Sequence, residues 1–305
     1  MRELLNEVLS QCSPYIEQGT VASYIPELAK ADKRDFGICI LENGQGVCTA
    51  GDFDRTFTLQ SIIKPLILLM ALMDNGTQPI RTLVGVEATG KPFDAFNYSD
   101  QALNGEHINP MINTGAIALC SLIKGKNYDE KLQRLLELAK TVSANPNLEV
   151  DEKVYRSEKA TGSKNRALAY MLKAYGMLHD DVEEVLDCYF AACSIKAFVV
   201  DLARIAQVFA NGGVDVISGQ RLFEKAYAKY VNAVLMTCGM YDGSGEFALN
   251  VGVPAKSGVG GGIMAVVPNR MGIGIYSPAL DKKGNSVAGI KALELLSARL
   301  DLSIF

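Results

Sequence analysis

Ser61 and Lys64 stand three residues apart in FTLQSIIKPLILLMAL, a spacing that puts them on one face of a helix. Pro65 has no N–H to donate and is tolerated only in an opening turn, so the segment predicts a helix that begins close to Ser61. A serine there lies among free N–H groups at the positive end of the helix dipole, which favour a developing oxyanion or alkoxide. A lysine desolvated in a cleft can lose its proton and activate such a serine without any histidine. The tetrapeptide alone also describes an N-cap serine followed by an exposed lysine.

Three further segments carry groups suited to the same chemistry. GVPAKSGVGGGIMAVVP, Gly252 to Pro268, reads as a glycine-rich strand, and glycines in a strand often mark a close approach to the backbone. In it Lys256 would supply a positive charge at the cleft wall, and the N–H of Val259 would be a second oxyanion donor beside that of Ser61. HINPMINTGAIAL places Asn109 and Asn113 ahead of a small-residue helix, and SEKATGSKNRALAYML carries Glu158 and Asn165. Amide side chains meet a carboxylate or carboxamide, and a carboxylate meets an ammonium, which together suit an α-amino acid. Taken singly, Asn113 and Asn165 read as helix caps and Glu158 as a solvated charge; their joint occurrence favours a site.

The elements that would hold these residues are legible from periodicity. Arg2 to Cys12 and Ile25 to Lys30 read as short amphipathic helices, and FGICILE, NGQG and VCTA as a hairpin. From Ser61 to about Phe209 the apolar residues recur at helical intervals, as in LIKGKNYDEKLQRLLELAKTV. GVGGGIMAVVP, MGIGIYS and GNSVAGIKALELLSARL then restore strand, strand and helix. Strands at both ends predict one mainly antiparallel sheet with terminal helices. That is a discontinuous α/β lobe of approximately 1–60 plus 220–305, with a helical lobe of approximately 61–219 inserted and the site in the cleft between them.

Composition excludes several function classes. At 305 residues and 49% hydrophobic, the chain is read as a single catalytic unit. The apolar runs fall short of the ~20 residues that span a bilayer, and the first residues lack the pattern of a signal peptide, so no membrane association is expected. Seven cysteines without a CxxC pair suggest reduced thiols in the cytoplasm, and only two histidines, His107 and His179, argue against a Cys/His enzyme or a His-rich metal site. A net charge of −4 without a basic run argues against nucleic acid as partner.

The chain resembles the serine-dependent glutaminases, in order and over nearly its whole length. SIIKP at 61–65, NPMINTGA at 109–116, SE at 157–158 through NRA at 165–167, YF at 189–190 through CSI at 193–195, GMYD at 239–242 and PAKSGVGGG at 254–262 carry the likeness. The resemblance implies an α+β, β-lactamase-like fold and hydrolysis of L-glutamine to L-glutamate and ammonia through an acyl-enzyme on Ser61. It further implies that Ser61, Asn113, Glu158, Asn165, Tyr189, Tyr241 and Val259 contact the substrate, and that Tyr24 lies beside Ser61. Lys64 is the expected general base, with Tyr24 or Tyr189 relaying protons, and no metal or organic cofactor is expected. Family members form homodimers and homotetramers, so a homo-oligomer is expected as well. Two other readings share features of the sequence. One is a β-lactamase or penicillin-binding type of serine hydrolase, which uses the same Ser/Lys/K-[ST]-G set but an S-D-N or S-x-N element where this chain has NPMINTG. The other is a catalytically silent amino-acid sensor, against which intact Ser61 and Lys64 argue.

Overall fold

The computed structural model describes residues 1–90 and 108–305, and six of the seven strands among the described residues come from the two ends of the chain. β1 (Gly37–Glu42), β2 (Gly46–Gly51), β5 (Ala255–Ser257), β6 (Gly262–Val267) and β7 (Met271–Tyr276) form one sheet in the order β2-β1-β7-β6-β5. Every neighbouring pair is antiparallel. β1 and β7, from opposite ends of the chain, pair from Gly37↔Tyr276 to Glu42↔Met271. β3 (Phe57–Thr58) and β4 (Lys196–Ala197) make a separate two-stranded ladder.

Both faces of the sheet are covered, and side chains are assigned to them by the two-residue strand period. Ile38, Ile40, Ile263, Ala265, Ile273 and Ile275 point into one core with Leu5, Val8, Leu293 and Leu296 of the terminal helices Arg2–Cys12 and Val287–Leu300. Cys39, Leu41, Met264 and Val266 point the other way, into a larger core that runs through the helices of the middle of the chain. The helix Val199–Ala210 packs directly on β7, β6 and β1 and joins that core to the sheet. Its centre is the helix Lys64–Asn75, whose residues Lys64 to Leu72 are all buried. A helix apolar all round belongs inside a protein.

Two sequence expectations change. Ile25 to Lys30, expected to be a helix, holds only the single 3-10 turn Leu28–Lys30; six residues containing Pro26 are too few to propagate a helix. Gly252 to Pro268 is not one strand but a hairpin. Gly261, at φ +99, donates its N–H to the Gly258 carbonyl and folds β6 back on β5. Among the described residues no helix is long and apolar enough to cross a membrane.

Candidate active site

Ser61 is set by what precedes it. β3 is anchored through Leu59, whose N–H donates to the Ile195 carbonyl at 2.9 Å. Gln60 then takes a left-handed backbone, φ 48, which costs a non-glycine residue about 1–2 kcal/mol. This sharp step starts the 3-10 turn Gln60–Ile63, which runs straight into the helix Lys64–Asn75. The expected spacing holds, with Ser61 one turn ahead of Lys64 and Pro65 in the first α-helical turn.

The glycine hairpin closes over this turn. A Cβ on Gly258 would stand 2.8 Å from the Leu59 carbonyl oxygen, and one on Gly260 2.8 Å from that of Thr58. The close approach expected of these glycines is therefore made by the chain's own Ser61 segment. It brings Val259 to the wall of a cavity of about 600 Å³ that Ser61 also lines. Tyr24, Asn113, Glu158, Asn165, Tyr189 and Tyr241 line the same cavity. Its volume suits a small molecule.

Asn113 organises the floor. It is the first residue of the helix Asn113–Ser121, and its Oδ1 accepts from Lys64 Nζ at 2.7 Å and from the Tyr189 hydroxyl at 3.2 Å. Its Nδ2 donates to Asn165 Oδ1 at 2.9 Å, which fixes the orientation of both amides. Lys64 Nζ, fully buried, also donates to the Met111 carbonyl at 3.1 Å. One carboxamide thus connects the lysine behind Ser61, a tyrosine of the helix Val182–Cys193 and an asparagine of the helix Ser163–Ala174.

Glu158 lies opposite, on the helix Glu152–Thr161. Burial pushes its carboxyl up to about 8, outweighing a hydrogen bond from Gln60 and the charge of Lys64, which both pull it down. Burial likewise raises the Tyr189 and Tyr241 phenols well above their ordinary range. Tyr241, at φ 53, stands against Ser61 and the Val259 N–H, both of which favour its ionised form. Tyr24 stands at the mouth, more than half exposed.

Lys256 departs from expectation. It is fully buried behind Tyr241, with its Nζ 4.3 Å from the ring centroid, and presents no charge at the cleft wall. His179 is exposed on the surface, and His107 falls outside the described residues. Gln60 is a cavity residue that sequence reasoning misses. It lines the cavity, and its Nε2 donates to Glu158 Oε2 and the Cys193 carbonyl, each at 3.4 Å. The available signal is an amide side chain between Leu59 and the apolar run that begins at Ile62, where burial forces a hydrogen bond.

The profile of the family described as Glutaminase matches residues 19–305. The chain belongs to the glutaminase family. A glutaminase of Clostridioides difficile is 51% identical over 302 residues, covering 99% of this chain and 98% of that protein. One of Clostridium tetani is 50% identical over 306 residues, covering both in full. Among solved structures, the covalent complex between Bacillus subtilis glutaminase YbgJ and 5-oxo-L-norleucine, formed with 6-diazo-5-oxo-L-norleucine, superposes with a TM-score of 0.91. It is 37% identical, and the match covers 100% of this chain and 99% of that one. The antiparallel sheet flanked by helices is the β-lactamase-like fold of these glutaminases.

Proposed function

We propose that this glutaminase hydrolyses L-glutamine to L-glutamate and ammonia through a glutamyl ester on Ser61, with Lys64 as general base. The observation that carries the reading is the Asn113 carboxamide, which ties Lys64, Tyr189 and Asn165 together at the floor of the cavity that Ser61 lines. A neutral amine has two N–H donors. Held by Met111 O and Asn113 Oδ1, Lys64 in its neutral form carries a lone pair that takes the Ser61 proton. Ser61 Oγ then bonds to the carboxamide carbon, the charge on its oxygen meets the N–H groups of Ser61 and Val259, and the proton passes to the leaving nitrogen. Water opens the ester by the reverse proton path. Tyr24 or Tyr189 relays protons, and Glu158 takes the α-ammonium, with Asn165 and the tyrosine hydroxyls on the α-carboxylate. In support, the Bacillus subtilis glutaminase forms a covalent complex with 5-oxo-L-norleucine, an amino acid whose keto carbon has the chain position of glutamine's carboxamide carbon.

The test is stoichiometric release of ammonia and glutamate from L-glutamine by the purified protein, run in parallel with L-asparagine and a chromogenic cephalosporin. Preferential turnover of glutamine is expected; cephalosporin hydrolysis with glutamine untouched would refute the assignment. Lys64→Ala tests the base. It should lower kcat by about 10²–10⁴-fold, and a rate near wild type would place the base elsewhere.

A cytoplasmic location and a homodimer or homotetramer are part of the same proposal. Seven cysteines without a disulfide, six of them buried, support a reducing compartment. The oligomer rests on the family resemblance.

A further inference from the structure

Lys256 is a buried cation that the reaction above leaves without a task. It is fully buried on β5, and among the described residues no carboxylate pairs with it. Its Nζ donates to the Gly239 carbonyl at 3.0 Å and to the Ser257 carbonyl at 2.6 Å, and it faces the Tyr241 ring at 4.3 Å from the centroid. Burial and the charge of Lys64 both push the Lys256 ammonium toward losing its proton. Its surroundings oppose them. Two carbonyl oxygens and a ring face are three electron-rich partners, and an amine has only two N–H groups to offer, whereas an ammonium has three.

These partners belong to the two segments that carry the reacting end of the cavity. Gly239 lies two residues before Tyr241, whose backbone is held at φ 53, and Ser257 lies two residues before Val259. The Gly239 carbonyl also accepts from the Ser257 N–H at 3.1 Å, so one oxygen and one nitrogen clamp the two segments together. On this glutaminase reading of the cavity, we propose that Lys256 is a positioning residue for Tyr241. It clamps the Gly239–Tyr241 turn to the Ser257–Val259 segment and supports the ring from behind, which sets where the hydroxyl stands relative to Ser61 and the Val259 N–H. Lys256 touches no substrate. Glu158, Asn113 and Asn165, which hold the amino acid, sit on other elements, and of the tyrosines that line the cavity Tyr241 is the one whose hydroxyl stands at Ser61 and the Val259 N–H rather than at the α-carboxylate, so the role belongs to the chemical step.

The experiment is a double-mutant cycle on the full-length protein, with Lys256→Met, Tyr241→Phe and the double variant compared by steady-state ammonia release from L-glutamine. Lys256→Met keeps the length of the side chain and removes its donors. It should lower kcat on the order of 10- to 100-fold, the cost of a misplaced group beside the nucleophile, while KM changes little. In the Tyr241→Phe background the same substitution should cost almost nothing, because the hydroxyl it positions is gone. An equal fractional loss in both backgrounds, or a rise in KM with kcat intact, overturns the proposal. Should Lys256→Met fold poorly, the ring contact is tested directly with pentafluorophenylalanine in place of Tyr241, compared with Tyr241→Phe. The fluorinated ring keeps the shape and reverses the quadrupole, so its melting temperature should be lower, and equal melting temperatures overturn the proposal. Wild-type protein that released no ammonia would defeat the glutaminase reading instead, and it would show before any variant was compared.

Discussion

Ser61→Ala should abolish ammonia release from L-glutamine, by on the order of 10⁴–10⁶-fold in kcat, and leave the fold intact. The magnitude follows from removing the only atom that forms a covalent bond to substrate; what survives is binding and the oxyanion donors, which act on water alone. The intact fold follows from the packing. Ser61 is buried, and the forces that hold its turn are the Leu59–Ile195 hydrogen bond and the glycine hairpin laid against Leu59 and Thr58. None of these uses the Ser61 hydroxyl. The melting temperature should therefore stay within a few degrees of wild type, and glutamine should still raise it, because an occupied site stabilises the folded state whether or not turnover follows. Residual activity above a few per cent would mean that another group, or an activated water, attacks the carboxamide.

The parts of this site that are legible in the sequence are those whose residue types constrain the local backbone. Pro65 fixes the start of a helix, which is enough by itself to put Ser61 and Lys64 on neighbouring turns. The unbroken apolar runs in GICILE and GIMAVV mark strands with a core on each face, as the two clusters meeting across the sheet show. Other features lie between elements and have no local signature. Asn113, Asn165 and Tyr189 come from three different helices and meet only through tertiary packing. Lys256 defies its sequence context because a lysine beside a glycine run reads as solvent-facing, and only the Gly239 and Ser257 carbonyls with the Tyr241 ring make its burial tolerable. The hairpin at Gly258–Gly261 is indistinguishable in sequence from a continuous strand, since glycine marks close approach and tight turns equally.

Glu158 gives the second large effect, and its sign is set by burial. In the empty protein the carboxyl titrates at about 8 instead of 4.5, so at neutral pH it is mostly protonated. Pairing with an α-ammonium needs the carboxylate, so substrate binding expels a proton below pH 8. Affinity for glutamine should fall as pH is lowered from about 8, approaching tenfold per pH unit, and the decline should disappear in Glu158→Gln. That variant loses a charge-assisted pair worth about 2–3 kcal/mol, so kcat/KM should drop roughly 30- to 150-fold at about pH 8. Stability moves in the opposite sense. The folded empty protein binds a proton at Glu158 that the unfolded chain has lost above 4.5, so this group's contribution is fully present below 4.5 and is lost as pH rises through about 8. Melting temperatures measured between about pH 5 and 9 should therefore decline with pH more steeply for wild type than for Glu158→Gln, with the variant the more stable of the two at the alkaline end. Added glutamate should narrow that gap by supplying the ammonium that the ionised carboxylate lacks. Parallel melting curves for the two proteins across this range would show that Glu158 is already ionised in the empty site and that its charge is balanced before substrate arrives.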